Sequence, residues 1–208
     1  DHQNSYYNLA LIKKEQGLSK AFEADTNLVL AKIDTAFHLQ LEGNLEKASK
    51  VFVNLAKEYP ENAEVLWRKS GFDLQLENFE EAWICYEYRW KVFPMNTTKW
   101  PLQEKAVWKG EKGKHVALWK EQGIGDQILC LSLVPEVKEM CSSVSVYVDP
   151  RLQSLCRRAM PGINFVEDEK GLKREKCEYH LPIQSLGGVI RNDISDFDRT
   201  VTGYLKAD

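Results

Sequence analysis

Apolar positions along the chain follow two rhythms, and the change between them divides it. From residue 29 to residue 92 they recur three and four apart. Leu45, Ala48, Phe52, Leu55 and Ala56 fall on one helical stripe, and Phe79, Ala82, Trp83, Tyr86 and Trp90 on another. The second stripe is the first moved by 34 residues: Ala48 answers to Ala82, Phe52 to Tyr86 and Pro60 to Pro94. Units 29–62 and 63–96 align without a gap, and each predicts two antiparallel helices, over 29–42 and 45–58, then 63–76 and 79–92. Gly43-Asn44 and Glu77-Asn78 are the expected turns, and the prolines end the second helices because they lack an N–H and clash with the preceding turn.

Beyond residue 114 the runs are shorter. Val116-Ala117-Leu118-Trp119 reads as a buried strand, and Asp126 to Met140 as one helix with Ile128, Leu131, Val134, Val137 and Met140 inward. Val144, Val146 and Val148 alternate with Ser145 and Tyr147 as in a strand. Asp149-Pro150 opens a helix to about Ala159, with Asp as cap and Pro at the first helical position. Residues 163–166 and 179–182 read as two further strands. Strands alternating with helices predict a parallel sheet. The expected fold class is therefore α followed by α/β, with helical repeats over 1–96, a connector over 97–114 and an α/β domain over 115–208. Residues 5–28 look like an earlier, shortened repeat. The connector has no period, but Trp100 and Trp108 imply that it is pinned.

Composition narrows the class. Apolar residues make up 43% and charged residues 28% of the 208, with a net charge of −3 and no basic block, so nucleic acid is not an expected partner. No run approaches the length of a membrane span. The start, Asp1-His2-Gln3-Asn4-Ser5, does not read as a signal peptide. The five cysteines are widely spaced with no C-x-x-C pair, which fits reduced thiols in a cytoplasm rather than disulfides or zinc. Cys130 falls on an apolar helix face and reads as buried. Asp193, Asp196 and Asp198 lack the glycine and distal glutamate of a calcium loop, so no metal site is expected.

The candidate chemistry sits in Glu121-Gln122-Gly123-Ile124-Gly125-Asp126, at the end of the first predicted strand of the α/β domain. Gly123 and Gly125 would allow unusual backbone angles and close approach of a ligand, and free N–H groups at a helix start suit an anion. Ile128 stands where a dinucleotide fingerprint needs its third glycine, which disfavours such a site. Asp126 has two readings: a helix N-cap, or a general base at the mouth of the sheet. His180 reads as a structural histidine, and Arg151, Arg157 and Arg158 as a solvated helix face.

The helical half resembles the tetratricopeptide repeat, whose period is 34 residues. The match rests on Ala36 and Ser70, Ala48 and Ala82, Phe52 and Tyr86, and Pro60 and Pro94, and departs at Lys32 and Asp73. The resemblance implies a groove lined by Ile33, Phe37, Gln40 and Leu41 in one unit and Trp67, Gly71 and Leu74 in the next. It would bind a protein or peptide, although aromatics at helical spacing read first as packing within the stack. Residues 116–166, with their Gly-Asp turn, Pro135 and Pro161-Gly162-Ile163, resemble the opening of heptosyltransferase-type glycosyltransferases. This implies a Rossmann-like parallel α/β half of a GT-B fold. The chain is similar, over nearly all of its length after residue 29, to tetratricopeptide proteins with a glycosyltransferase-like C-terminal domain. Tyr86-Glu87-Tyr88-Arg89-Trp90, Trp108-Lys109-Gly110, His180 through Leu186 and Tyr204 through Asp208 carry that likeness.

The resemblance implies Asp126 alone as base toward a sugar acceptor; Glu121, Gln122, Gly123 and Gly125 of the same turn are the expected substrate contacts. A nucleotide-sugar donor would be held mainly by a second α/β domain, expected beyond Asp208, so no cofactor and no activity are expected of these residues alone. An exposed face left by that missing half would favour self-association. The alternative is a non-catalytic interaction module working through its repeats.

Overall fold

The computed structural model describes residues 25–121, 123–197 and 203–206. The shortened repeat expected over 5–28 lies, but for its last four residues, outside them. The chain divides after Asn96 into two compact units.

In the first unit α1 spans Asp25–Leu41, α2 Leu45–Glu58, α3 Ala63–Gln75 and α4 Phe79–Tyr86. Each packs on the next in sequence. Val29, Ile33 and Ala36 of α1, Ala48, Phe52 and Leu55 of α2, and Val65 and Phe72 of α3 are buried together. The Asn62 side chain caps α3 by accepting from the Val65 N–H at 3.1 Å.

The two repeats differ in their second helix. The α2 stripe buries Ala48, Phe52 and Leu55. After Tyr86 α4 tightens into a 3-10 helix, Glu87–Lys91, instead of running on to residue 92. A 3-10 turn advances three residues rather than 3.6. The buried positions are Phe79, Ala82, Cys85 and Arg89, while Trp83, Tyr86 and Trp90 are only half-buried. Arg89 occupies the place of Leu55 with none of its surface exposed, its guanidinium 4.3 Å from the Tyr86 ring centroid and 4.6 Å from that of Trp90.

The turns differ too. Gly43 sits at φ +79, and Glu77, its counterpart 34 residues on, at φ 63. A side chain in that left-handed region costs about 1–2 kcal/mol, which glycine avoids at a smaller entropic cost. Glu77→Gly is accordingly expected to stabilise the helical unit by about 1 kcal/mol, read from urea denaturation. A loss of stability would mean that the Glu77 side chain holds the turn.

The second unit is a five-stranded, all-parallel sheet. Its strands are β1 Ala106–Val107, β2 His115–Trp119, β3 Ser143–Tyr147, β4 Asn164–Val166 and β5 Tyr179–Pro182, in spatial order β1-β5-β2-β3-β4. Among the described residues five α-helices accompany them: α5 Ile124–Leu131, α6 Val134–Met140, α7 Gln153–Ala159, α8 Glu169–Arg174 and α9 Leu186–Ile190. Val116 and Leu118 of β2, Val144 and Val146 of β3, Phe165 of β4 and Leu181 of β5 form its core with Leu131, Val134 and Val137.

Three expectations change here. The helix expected over 126–140 is two, broken at Ser132-Leu133, with Pro135 inside the first turn of α6 where a missing N–H costs nothing. The segment taken as a connector supplies β1, and Trp100 packs on Trp119 at 5.5 Å between ring centroids while Trp108 is buried. Cys130 is half-buried, unlike the other four cysteines, which are buried.

Candidate functional site

The chain runs from β2 outward to β3 and β4, then returns to place β5 on the other side of β2. The ends of β2 and β5 thus bracket the point where strand order reverses, and in open parallel sheets that crevice is where ligands bind. The turn 120–126 leaves β2 at this point. Lys120 donates its N–H to the Tyr147 carbonyl at 2.9 Å, extending the pairing with β3. The Glu121 carboxylate accepts the Gln184 N–H at 3.2 Å, joining the ends of β2 and β5. Gln127, 2% exposed, accepts the Asp149 N–H at 2.8 Å and ties the first turn of α5 to the end of β3. Gln122 lies outside the described residues.

Asp126 is not the cap of α5. Gly123 is, at φ −58 and ψ 165, and Asp126 lies in the first helical turn. Its carboxylate folds back toward the cap: a Cβ built on Gly123 would lie 3.2 Å from Asp126 Oδ2. That contact, not a special backbone angle, is what glycine relieves, because neither Gly123 nor Gly125 has positive φ. Around Gly125 a Cβ would meet open space. Asp126 is exposed and makes no hydrogen bond or ion pair among the described residues. Its own charge already faces the helix N-terminus, which weakens the case for a bound anion there.

The cations of the mouth are matched. Arg151 donates through Nε to Asp149 Oδ1 at 2.9 Å and through a terminal nitrogen to Oδ2 at 3.2 Å, and Lys120 Nζ lies 3.8 Å from the same carboxylate. These contacts, Arg151 foremost, hold the Asp149 carboxyl down at about 2. A depressed carboxyl adds stability above its ordinary value of 3.8 and loses it as pH falls through about 2. The Asp149 side-chain carbonyl resonance is therefore expected to titrate near pH 2, and Arg151→Ala to move the midpoint up toward 3.8. An unmoved midpoint would remove Arg151 as the cause.

One constellation was not legible in the sequence. Ser145 on β3, 1% exposed, accepts from Asn164 Nδ2 at 3.1 Å and donates to Glu175 Oε2 at 2.8 Å, with His115 Nε2 at 2.9 Å. Serine, histidine and glutamate together suggest a nucleophile, but the geometry refuses it. The single hydroxyl proton goes to Glu175, so the histidine must donate rather than accept, and the hydroxyl is buried. The network instead links β2, β3, β4 and the end of α8. The serine's position in an alternating strand pattern gave no sign of this.

His180 is buried and structural. Its Nδ1 accepts from Trp119 Nε1 at 3.0 Å, and burial lowers its pKa from the ordinary value. Arg158 donates to the Lys206 carbonyl at 3.0 Å, and Arg157 to Gln153 at 3.2 Å. Asp193 and Asp196 accept backbone N–H groups of their own loop, and Asp198 lies outside the described residues. Among the described residues Asp73, Glu81 and Cys85 place potential metal-ligand atoms within 4.8 Å of one another. Lys69 Nζ already serves both carboxylates there, at 2.5 Å from Asp73 and 2.8 Å from Glu81.

In the helical unit Phe37, Gln40, Trp67, Gly71 and Leu74 line one cleft of about 210 Å³. Ile33 does not: it is 4% exposed, in the core, because it shares a stripe with Val29 and Ala36. Leu41 is 69% exposed and lies outside the lining. Gln40 and Gln75 hydrogen-bond at 3.0 Å, and the Arg68 guanidinium covers the Trp67 ring at 4.8 Å. No helix among the described residues is long and apolar enough to cross a membrane. No family model, curated protein or solved structure matches the chain.

Proposed function

We propose that the second unit is the acceptor-side half of a GT-B-type sugar transferase and that the first is a tetratricopeptide-type scaffold that docks a partner. The observation that carries this is the exposed Asp126 carboxylate at the reversal point of a parallel sheet, not consumed as a cap and in no ion pair among the described residues. There Asp126 accepts the proton of an acceptor hydroxyl while that oxygen attacks the anomeric carbon of the donor sugar, and the nucleoside diphosphate leaves with the bonding electrons. Gly123 keeps the carboxylate in place and Gly125 leaves the approach open. Lys120 and Arg151 face Asp149 and offer no unmatched charge for a pyrophosphate, so the donor's contacts are assigned outside this mouth. Free cysteines, four of them buried, suit a reducing compartment such as the cytoplasm.

The test is calorimetry with a panel of saccharide acceptors. Binding that weakens at least about tenfold (about 1.4 kcal/mol) in Asp126→Asn, with the melting curve unchanged, is the expected result. Equal binding by wild type and variant would remove Asp126 from the site. A second reading, a peptide-binding module, has its own observation in the cleft lined by Phe37, Trp67 and Leu74. Peptide capture that Trp67→Ala abolishes, without any saccharide binding, would favour it.

A further inference from the structure

We propose that His180 and Trp119 form an acid-released latch on the mouth of the sheet, closed while His180 Nδ1 is unprotonated. As regulation of that mouth it rests on the reading above. Its mechanical part stands on geometry alone.

Trp119 is the last residue of β2, and the turn bearing Asp126 begins at the next one. Its backbone is in register with Pro182 of β5, while its indole N–H reaches back to His180 Nδ1 at 3.0 Å. The latch therefore spans the two strands that bracket the reversal point. Both side chains are buried, His180 at 1% and Trp119 at 2% exposure. The Trp100 ring closes over them, 5.6 Å from His180 and 5.5 Å from Trp119 between centroids.

An imidazole nitrogen accepts a hydrogen bond only while it lacks a proton. A proton on Nδ1 would set two donors against each other at the 3.0 Å now bridged by one bond. With Trp100 packed on both rings there is little room for either to turn in place. Relief then falls to the strand ends that carry the rings, and on the β2 side a shift of Trp119 reaches Lys120 and the turn beyond.

The groups facing the ring are few. From the segment before β1, Glu104 favours the imidazolium by its charge, and a hydrogen bond to the Lys105 backbone acts the same way. In register beside His180 lie Val107 of β1 and Ala117 of β2, neither ionisable. Burial outweighs both favourable contributions and holds the pKa below 6.5. The neutral ring is thus the form that the fold prefers. The bond is in place above pH 6.5 and is lost as pH falls through the lower, folded value.

Nitrogen-15 NMR of the whole chain across pH 4 to pH 8 tests this. Three signals should move with one midpoint below 6.5: the His180 ring, the Trp119 indole N–H, and the backbone amides of Gly123, Gly125 and Asp126. Trp119→Phe keeps a ring but no donor, so His180 should still titrate while the mouth amides no longer follow it. His180→Gln keeps an acceptor that does not titrate and should abolish the shared midpoint. The proposal is overturned if His180 titrates in the wild type while the amides stay still. It is overturned equally if the amides keep the same midpoint in His180→Gln, or if far-UV circular dichroism collapses at that midpoint. Should either variant fail to fold, the wild-type titration decides alone. Absence of saccharide binding at neutral pH would count against the transferase reading and leave the latch standing.

Discussion

Lys69→Met is expected to destabilise the helical unit by about 3–5 kcal/mol, the usual loss when one partner of a buried ion pair is removed. Lys69 and Asp73 are neighbours on one face of α3, their side chains 7% and 5% exposed, and joined at 2.5 Å. Glu81 of α4 adds a second contact at 2.8 Å but is 69% exposed, so water shares its charge. The large term is Asp73. Burial already holds its carboxyl above the ordinary range, even with Lys69 pulling it down. Without the ammonium, Asp73 must either stay charged while buried, with Asn78 as its remaining hydrogen-bond partner, or take up a proton, and both cost free energy.

The double variant separates this from lost packing. Lys69→Met with Asp73→Leu removes both charges and keeps apolar volume, and such replacements are often neutral or stabilising. Recovery of most of the loss in urea denaturation would locate the cost in the orphaned carboxylate. No recovery would mean that the lysine stem packs the α3–α4 interface. The pH behaviour has a definite sign. Burial opposes charge on Lys69, but Asp73 and Glu81 outweigh it and raise its pKa above 10.5. The lysine's contribution is therefore whole below 10.5 and fades as pH rises through the folded value.

The features legible from sequence are those fixed by period. Apolar spacing marked α1 through α3 and four of the five strands because each buries a stripe or a run several residues long. β1 escaped because two exposed residues carry no pattern; it exists through its pairing with β5. The break between α5 and α6 escaped because the inward residues Leu131, Val134 and Val137 keep helical spacing across it. Arg89 escaped because arginine at a repeat's core position reads as solvent-facing, although Tyr86 and Trp90 flank it with aromatic rings. At the mouth the Gly-Asp turn is visible, but of the two readings open for Asp126 the cap falls to Gly123 instead. Asp is a common cap, and nothing local says that the helix starts at Ile124. Gln127, Asp149 and Gln184 come together through β3 and β5, at sequence separations that no local pattern spans.

Phe52→Ala is expected to cost about 3–5 kcal/mol, the range for deleting a buried aromatic side chain. Phe52 has none of its surface exposed and stands at the centre of three rings, 4.8 Å from Phe72 and 6.2 Å from Phe37, with Phe37 and Phe72 themselves 5.7 Å apart. Such ring pairs add about 0.5–1.5 kcal/mol each beyond the area they bury, and Ala removes two of the three at once. The rings come from α1, α2 and α3, so the cavity opens where all three helices meet. Amide exchange in these helices should accelerate about a hundredfold or more while amides of β2 and β3 keep their protection. Phe37 also lines the cleft with Trp67 and Leu74, so its collapse toward the cavity should lower any affinity of that cleft along with stability. Phe52→Leu, which keeps most of the apolar volume, should lose less of both. A loss below about 1 kcal/mol for Phe52→Ala would show that the aromatic trio is not what holds the helical unit together, and that its neighbours close the space at little cost.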